Sequence, residues 1–245
     1  MKIGFFDSGL GGRLVMDETA KLLPLYDYVF YGDTANVPYG SKSEEEIYGL
    51  LVSGAEELFK KDCAIIIVAC NTASVTALRR FQDEYLPGSH PQKRALGVVI
   101  PSVEEIERLS PERLLIVATE RTCASGKYPR VMENRGIKTR VFQAPSKNMA
   151  GLIEEGRITE AEDELKKILD DNFSFKPDTV LLGCTHYAKI KDKCRRLVGE
   201  SVNVLSQDEI IGKKLQDYLN RHSSFEVSLT KNGTREYFFS GPEVK

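Results

Sequence analysis

The chain has 245 residues, room for one large α/β domain or for two compact ones of about 120 residues each. Hydrophobic residues make up 41% and charged residues 29%, which permits a packed core and argues against long disorder. With 34 basic and 36 acidic residues the net charge is -2 and no long run carries one sign, so nothing points to a nucleic-acid or polyanion surface.

In chain order, the opening MKIGFF turns polar at Asp7, and no apolar run approaches the ~20 residues of a membrane span, so a soluble cytoplasmic protein is expected. The apolar runs KIGFFD, YVFYGD, AIIIVAC, ALGVVI, RLLIVAT, TRVFQA, DTVLLGC and VNVLS read as strands. Most lack polar alternation, as parallel strands covered on both faces do, and the segments between them read as crossover helices. Ser43 with Glu46 and Thr159 with Glu162 each fit a capping box. Ile47, Leu50, Leu51 and Leu58 share one helix face, as do Leu165, Ile168 and Leu169. Asn232-Gly233, between strand-like stretches of SLTKNGTREYFFS, predicts a type I′ hairpin. The expected fold class is α/β with mostly parallel sheets.

The five cysteines, at 63, 70, 123, 184 and 194, are an odd set without CxxC spacing, which supports neither a disulfide framework nor a zinc knuckle. His90, His186 and His222 are scattered, so no multi-histidine metal site is expected. Two cysteines share a setting: IIIVACNT and TVLLGCTH each run a hydrophobic strand into a cysteine followed by polar residues. This puts Cys70 and Cys184 at strand C-terminal ends, where open parallel sheets bind ligands. Cys63, Cys123 and Cys194 read as small core hydrophobes. One nucleophilic cysteine with a base, Cys184 with His186, would leave Cys70 idle. Stereoinversion uses both thiols: one removes a proton from a carbon, and the other reprotonates the planar intermediate on its opposite face.

DSGLGG, YGDTANVPYG, VACNTAS, VATERTCASGKY, LLGCTHY and the terminal FFSG occur in this order, and together they resemble the glutamate racemases of the aspartate/glutamate racemase superfamily. The resemblance spans nearly the whole chain. It implies two α/β domains related by a pseudo-twofold axis, residues 1–97 with 207–245 and residues 98–206, with the active site in the cleft between them. It also implies cofactor-independent chemistry, a homodimer, and D-glutamate production for peptidoglycan. By the same resemblance, Cys70 takes the α-proton from D-glutamate and Cys184 takes it from L-glutamate. Asp7 and His186 match the groups that flank the thiols, and Glu154 matches a second supporting carboxylate. Substrate contacts are expected from Asp7, Ser8, Tyr39, Gly40, Asn71, Thr72, Thr122, Thr185 and His186.

Alone, Tyr39 and Gly40 could simply make a turn after Pro38, and Glu154 could begin a solvated charged face with Glu155. Arg13, Arg121, Ala144 and Ala188 depart from the family pattern without removing a catalytic group, and LSQDE stands where IDS is usual. DSGLGG has Leu14 where a dinucleotide fingerprint requires its third glycine, so its glycines are expected to let the backbone pass close to a small zwitterion. Two alternatives stay open: a racemase for aspartate or another amino acid, and a non-catalytic amino-acid-binding regulator.

Overall fold

Successive residues of a strand point to opposite faces, so an apolar run without alternation needs cover on both sides. In the computed structural model, which describes residues 1–241, Phe5 and Phe6 are both fully buried but join different cores. Phe5 packs with Ile65 and Ile67 beneath helices Gly11–Leu22 and Gln207–Arg221, where Val15, Met16, Ile211 and Leu215 close the layer. Phe6 packs with Ile66 and Val68 beneath helix Glu44–Lys60, through Ile47, Leu51 and Leu58. Each fully buried side chain of this size is worth about 1.5–3 kcal/mol, which fixes the register of the strand.

The described strands form two sheets, and every pairing is parallel. The first has the order β4-β3-β1-β2-β9, built from β1 (Lys2–Asp7), β2 (Tyr28–Gly32), β3 (Cys63–Val68), β4 (Arg94–Gly97) and β9 (Arg235–Phe239). The second has the order β6-β5-β7-β8, from β5 (Arg113–Thr119), β6 (Arg140–Ser146), β7 (Thr179–Gly183) and β8 (Asn203–Ser206). Leu115, Val117 and Leu182 on one face of the second sheet pack against Met149, Ile153 and Leu165. Leu114, Ile116 and Leu181 on the other face meet Val99, Val103 and Tyr128. The expected α/β class with parallel sheets is what the chain adopts.

The capping box at Ser43 is present: Glu46 N donates to Ser43 Oγ at 3.2 Å and Ser43 N donates to Glu46 Oε2 at 2.8 Å. The second one is not. Helix Ile158–Asp171 starts before Thr159, with Arg157 at its N-cap, and Arg157 instead pairs with Glu160 at 2.6 Å. ALGVVI is strand only to Gly97; Val99 and Ile100 begin helix Val99–Leu109.

The predicted hairpin is also corrected. Gly233 does take a positive φ of 68°, but β9 pairs in parallel with β2. The arm before the turn is held elsewhere, with Thr230 N donating to Met1 O at 2.8 Å. The turn itself wraps the Asp27 carboxylate, which accepts from Asn232 Nδ2 (2.8 Å), Thr234 N (2.8 Å) and Thr234 Oγ1 (2.7 Å). Although burial opposes ionisation, the Thr230 side chain together with these donors holds the Asp27 carboxyl well below the usual carboxylate range.

Candidate active site

Parallel strands deliver their C-terminal ends to one side of a sheet. Here the ends of β1, β3, β5, β6 and β7 converge on a cleft of about 660 Å³ lined from both sheets. Cys70 and Cys184 both face it, 5% and 8% exposed, so the two thiols reach one cavity from different halves. Ser8, Tyr39, Gly40, Asn71 and Thr72 line it from the first half; Thr185 and His186 line it from the second.

On the first wall, Cys70 is the N-cap of helix Asn71–Thr76, and its sulfur accepts from Ala73 N at 3.5 Å and donates to Ser8 Oγ at 3.3 Å. Burial, reinforced by the nearby Asp7 carboxylate, pushes the Cys70 thiol up to about 12 despite these hydrogen bonds. Asp7 ends β1 and lies behind Ser8, fully buried, accepting from Gly12 N at 2.8 Å and from Thr185 Oγ1 at 3.3 Å. Burial raises the Asp7 carboxyl to about 6, and the opposing influence of His186 and Gly12 only moderates that. Asp7 can therefore exchange a proton near neutral pH.

The second wall is built differently. Cys184 follows β7, and His186 Nδ1 lies 3.7 Å from its sulfur. The other ring nitrogen donates to Glu154 Oε2 at 2.5 Å, and Glu154 also accepts from Leu10 N at 3.1 Å. Burial pushes the imidazole down, but hydrogen bonds to Cys184 and Glu154 outweigh it and hold His186 well above its ordinary value. Burial likewise opposes the Glu154 charge, and the His186 contact overcomes it, holding the carboxyl low. Both shifts favour the charged forms of this pair, and His186 Nδ1 faces the Cys184 sulfur.

The glycines of DSGLGG form a docking surface between the halves, while Ser8 of the same stretch lines the cleft. A Cβ on Gly11 would come within 2.6 Å of His186 N and 2.7 Å of Thr185 Oγ1, and one on Gly9 within 2.7 Å of Glu154 Oε1. These glycines do not line the cleft, so the expectation that they pass close to the zwitterion is corrected: they let the second wall approach Asp7.

Tyr39 lines the cleft and donates its hydroxyl to Asp33 Oδ2 at 2.6 Å, which also accepts from Ser240 Oγ at 2.6 Å through Oδ1. Thr122 is fully buried and lies off the cavity wall; its hydroxyl accepts from Thr119 Oγ1 at 2.9 Å. Thr119 lines the cleft in its place and meets Thr72 Oγ1 across the two halves at 3.2 Å. Ser146 and Asn148 are further lining residues that sequence reasoning missed. The signal was available for Thr119 and Ser146, since each is the last residue of a strand.

Of the departures, Arg121 reaches over the cleft mouth and donates to Gly40 O at 3.4 Å, while Arg13 lies over the Tyr237 ring at 4.7 Å. Ala144 is buried in the second sheet's core with Leu115, Val117 and Leu182, and Ala188 is buried in the turn after Cys184. Among the described residues, no group of three or more His, Cys, Asp and Glu side chains is arranged to hold a metal ion, and no helix is long and apolar enough to cross a membrane.

Two parallel α/β halves that each present a thiol to a shared cleft define the class of protein as an amino-acid racemase, an isomerase. The chain belongs to the Asp/Glu/Hydantoin racemase family, which matches residues 14–208. It is 37% identical over 239 residues to a glutamate racemase of Jannaschia sp. (strain CCS1), covering 90% of this chain and 86% of that one. Among solved structures, the glutamate racemase of Francisella tularensis in complex with D-glutamate superposes with a TM-score of 0.85 at 26% identity, covering 99% of this chain and 89% of that one. The enzyme from Aquifex pyrophilus gives 0.76 at 32% identity, covering 100% and 91%.

Proposed function

We propose that this protein is a glutamate racemase that interconverts L- and D-glutamate by two-base proton transfer between Cys184 and Cys70. The observation that carries the reading is the pair of strand-end thiols, one from each half, on a single cleft. From L-glutamate, the Cys184 thiolate takes the α-proton, and the electron pair left on Cα delocalises into the carboxylate. The Cys70 thiol then gives its proton to the opposite face, which leaves D-glutamate, a Cys70 thiolate and a Cys184 thiol. The reverse reaction starts from that state.

The two walls suit these steps. Burial keeps Cys70 protonated, which makes it the proton donor for the L-to-D direction, with Asp7 nearby to relay a proton as the thiol is reset. His186 faces the Cys184 sulfur and can donate to it when it is anionic, held in place by Glu154. Ser8, Asn71, Thr72, Thr185 and the Tyr39–Gly40 turn are assigned to the substrate's polar groups, which neutral donors can fix without neutralising the thiolates. The electrostatic help of fixed donors replaces a cofactor, and none is required in this scheme.

The same reading assigns residues 1–97 with 207–245 to one domain and 98–206 to the other, a division supported by the composition of the two sheets; positions 242–245 lie outside the described residues. It makes the protein a cytoplasmic homodimer that supplies D-glutamate for peptidoglycan, with no nucleic-acid or membrane partner.

The test is a chiral assay of purified protein on L- and D-glutamate and on L- and D-aspartate without added cofactor. Racemisation of glutamate with little turnover of aspartate is expected. Preferred turnover of aspartate would reassign the substrate, and ligand binding without α-proton exchange would make the protein a regulator.

A further inference from the structure

Asn71 directly follows Cys70 and is 2% exposed, yet it lines the cleft. Its side-chain amide is locked to that of Gln207, at the start of helix Gln207–Arg221. Asn71 Nδ2 donates to Gln207 Oε1 at 2.6 Å, and Gln207 Nε2 donates back to Asn71 Oδ1 at 2.9 Å. Tyr128 also donates its hydroxyl to Asn71 Oδ1, at 2.8 Å. Gln207 Nε2 lies 3.4 Å from Ser102 Oγ as well, and that hydroxyl already donates to Val98 O at 2.7 Å. Ser102 can then only accept, which fixes the orientation of the Gln207 amide and, through it, that of Asn71.

An asparagine amide has two N–H donors and an oxygen with two lone pairs. Both lone pairs of Asn71 are taken, by Gln207 and Tyr128, and so is one N–H. What remains is a single donor on a residue that lines the cleft, which suits a carboxylate and cannot serve an ammonium. The holders come from outside the first sheet's strands: Tyr128 and Ser102 lie on helices Lys127–Asn134 and Val99–Leu109, whose buried faces join the second sheet's core. Asn71 is thereby tied across the halves, one residue from the thiol that must stand opposite Cys184.

We infer that Gln207, with Tyr128, is a positioning residue: it presents one Asn71 N–H to a substrate carboxylate and sets the Cys70 thiol at its working distance from the second half. The inference rests on the racemase reading above. Misplacement of a reacting group by about 1 Å costs on the order of 100-fold in rate, so the loss of this anchor is visible in turnover.

The experiment compares wild type, Gln207→Leu, Gln207→Asn and Tyr128→Phe, using kcat and KM for both enantiomers and the primary isotope effects with α-deuterated D- and L-glutamate. Gln207→Leu is expected to lower kcat/KM about 10- to 100-fold, with KM rising because Asn71 loses its orientation. Tyr128→Phe is expected to cost roughly 3- to 10-fold, in line with the loss of one hydrogen bond to Asn71. The equilibrium constant is unity, so kcat/KM falls equally in both directions. The isotope effects do not: with the Cys70 step slowed, the effect grows for deuterated D-glutamate and shrinks for deuterated L-glutamate. Gln207→Asn, which retains the amide but not its reach, falls between wild type and Leu.

A folded Gln207→Leu enzyme with kcat/KM within about twofold of wild type overturns the inference, and so does a loss of rate that leaves both isotope effects at wild-type values. If the leucine variant does not fold, Tyr128→Phe decides by the same two criteria. Wild-type protein that fails to racemise glutamate overturns the functional reading and this inference with it, whereas active wild type with unaffected variants overturns only the inference.

Discussion

The two walls of the cleft use the same backbone device, a cysteine just past a buried parallel strand, but surround it with opposite chemistry. Cys70 has a hydroxyl and a buried carboxyl for company, and burial keeps it protonated. Cys184 faces an imidazole whose far side is anchored on the Glu154 carboxylate, and these contacts hold its pKa well above the ordinary value despite burial. The pseudo-symmetry of the fold therefore stops at the thiols: one is flanked by a hydroxyl and a buried carboxyl, the other by an imidazole–carboxylate pair.

The bluntest way to break the comparison is to delete either thiol. Cys70→Ala and Cys184→Ala are each expected to lower racemisation by at least about 10³-fold, since each removes a proton carrier that nothing else on its face replaces. Chiral analysis of the product checks this.

Next in size are Asp7→Asn and His186→Asn, each expected to cost on the order of 100-fold in kcat/KM. They sharpen the comparison because they act on different walls. Asp7→Asn should enlarge the isotope effect for deuterated D-glutamate, and His186→Asn the effect for deuterated L-glutamate. The acid limb of the pH profile should follow the Asp7 ionisation near 6 and disappear in Asp7→Asn. Glu154→Gln keeps the shape of the His186 contact but removes its charge, so a loss of about tenfold in kcat is expected. NMR titration should show the imidazole losing its proton at lower pH than in wild type, because the partner that raised it is gone.

The smallest effect is on stability. Asp7 is raised from 3.8 to about 6 by burial, so its contribution is fully present below its unfolded value and is lost as pH rises through the folded one. Asp7→Asn should remove this penalty, on the order of 2 kcal/mol between pH 4 and 7, and flatten the dependence of Tm on pH across that window.

Much of this was legible in the chain because it is local. Buried parallel strands announce themselves as unbroken apolar runs, and the two cysteines stand out because each ends one. What was not legible depends on distant partners. Asn232-Gly233 has the right turn residues, but whether its arms pair with each other was decided by Asp27 and by the free edge of β2. Thr159 matches a capping pattern that the chain overrode by starting the helix earlier. The glycines of DSGLGG announced a close approach, yet what approaches is His186 and Glu154 rather than a ligand. Gln207 gave no signal, since its amide partner lies 136 positions away and such a pair has no periodicity.

The central claim, that different groups act on the two faces of Cα, is tested most directly by following L-glutamate turnover in deuterium oxide at early times. The account predicts that D-glutamate forms with deuterium at Cα while the recovered L-glutamate keeps its hydrogen, because the proton taken by Cys184 is not the one returned by Cys70. Product that retains the substrate's hydrogen, or L-glutamate that gains deuterium as fast as D-glutamate appears, would mean a single base serves both faces and would contradict it.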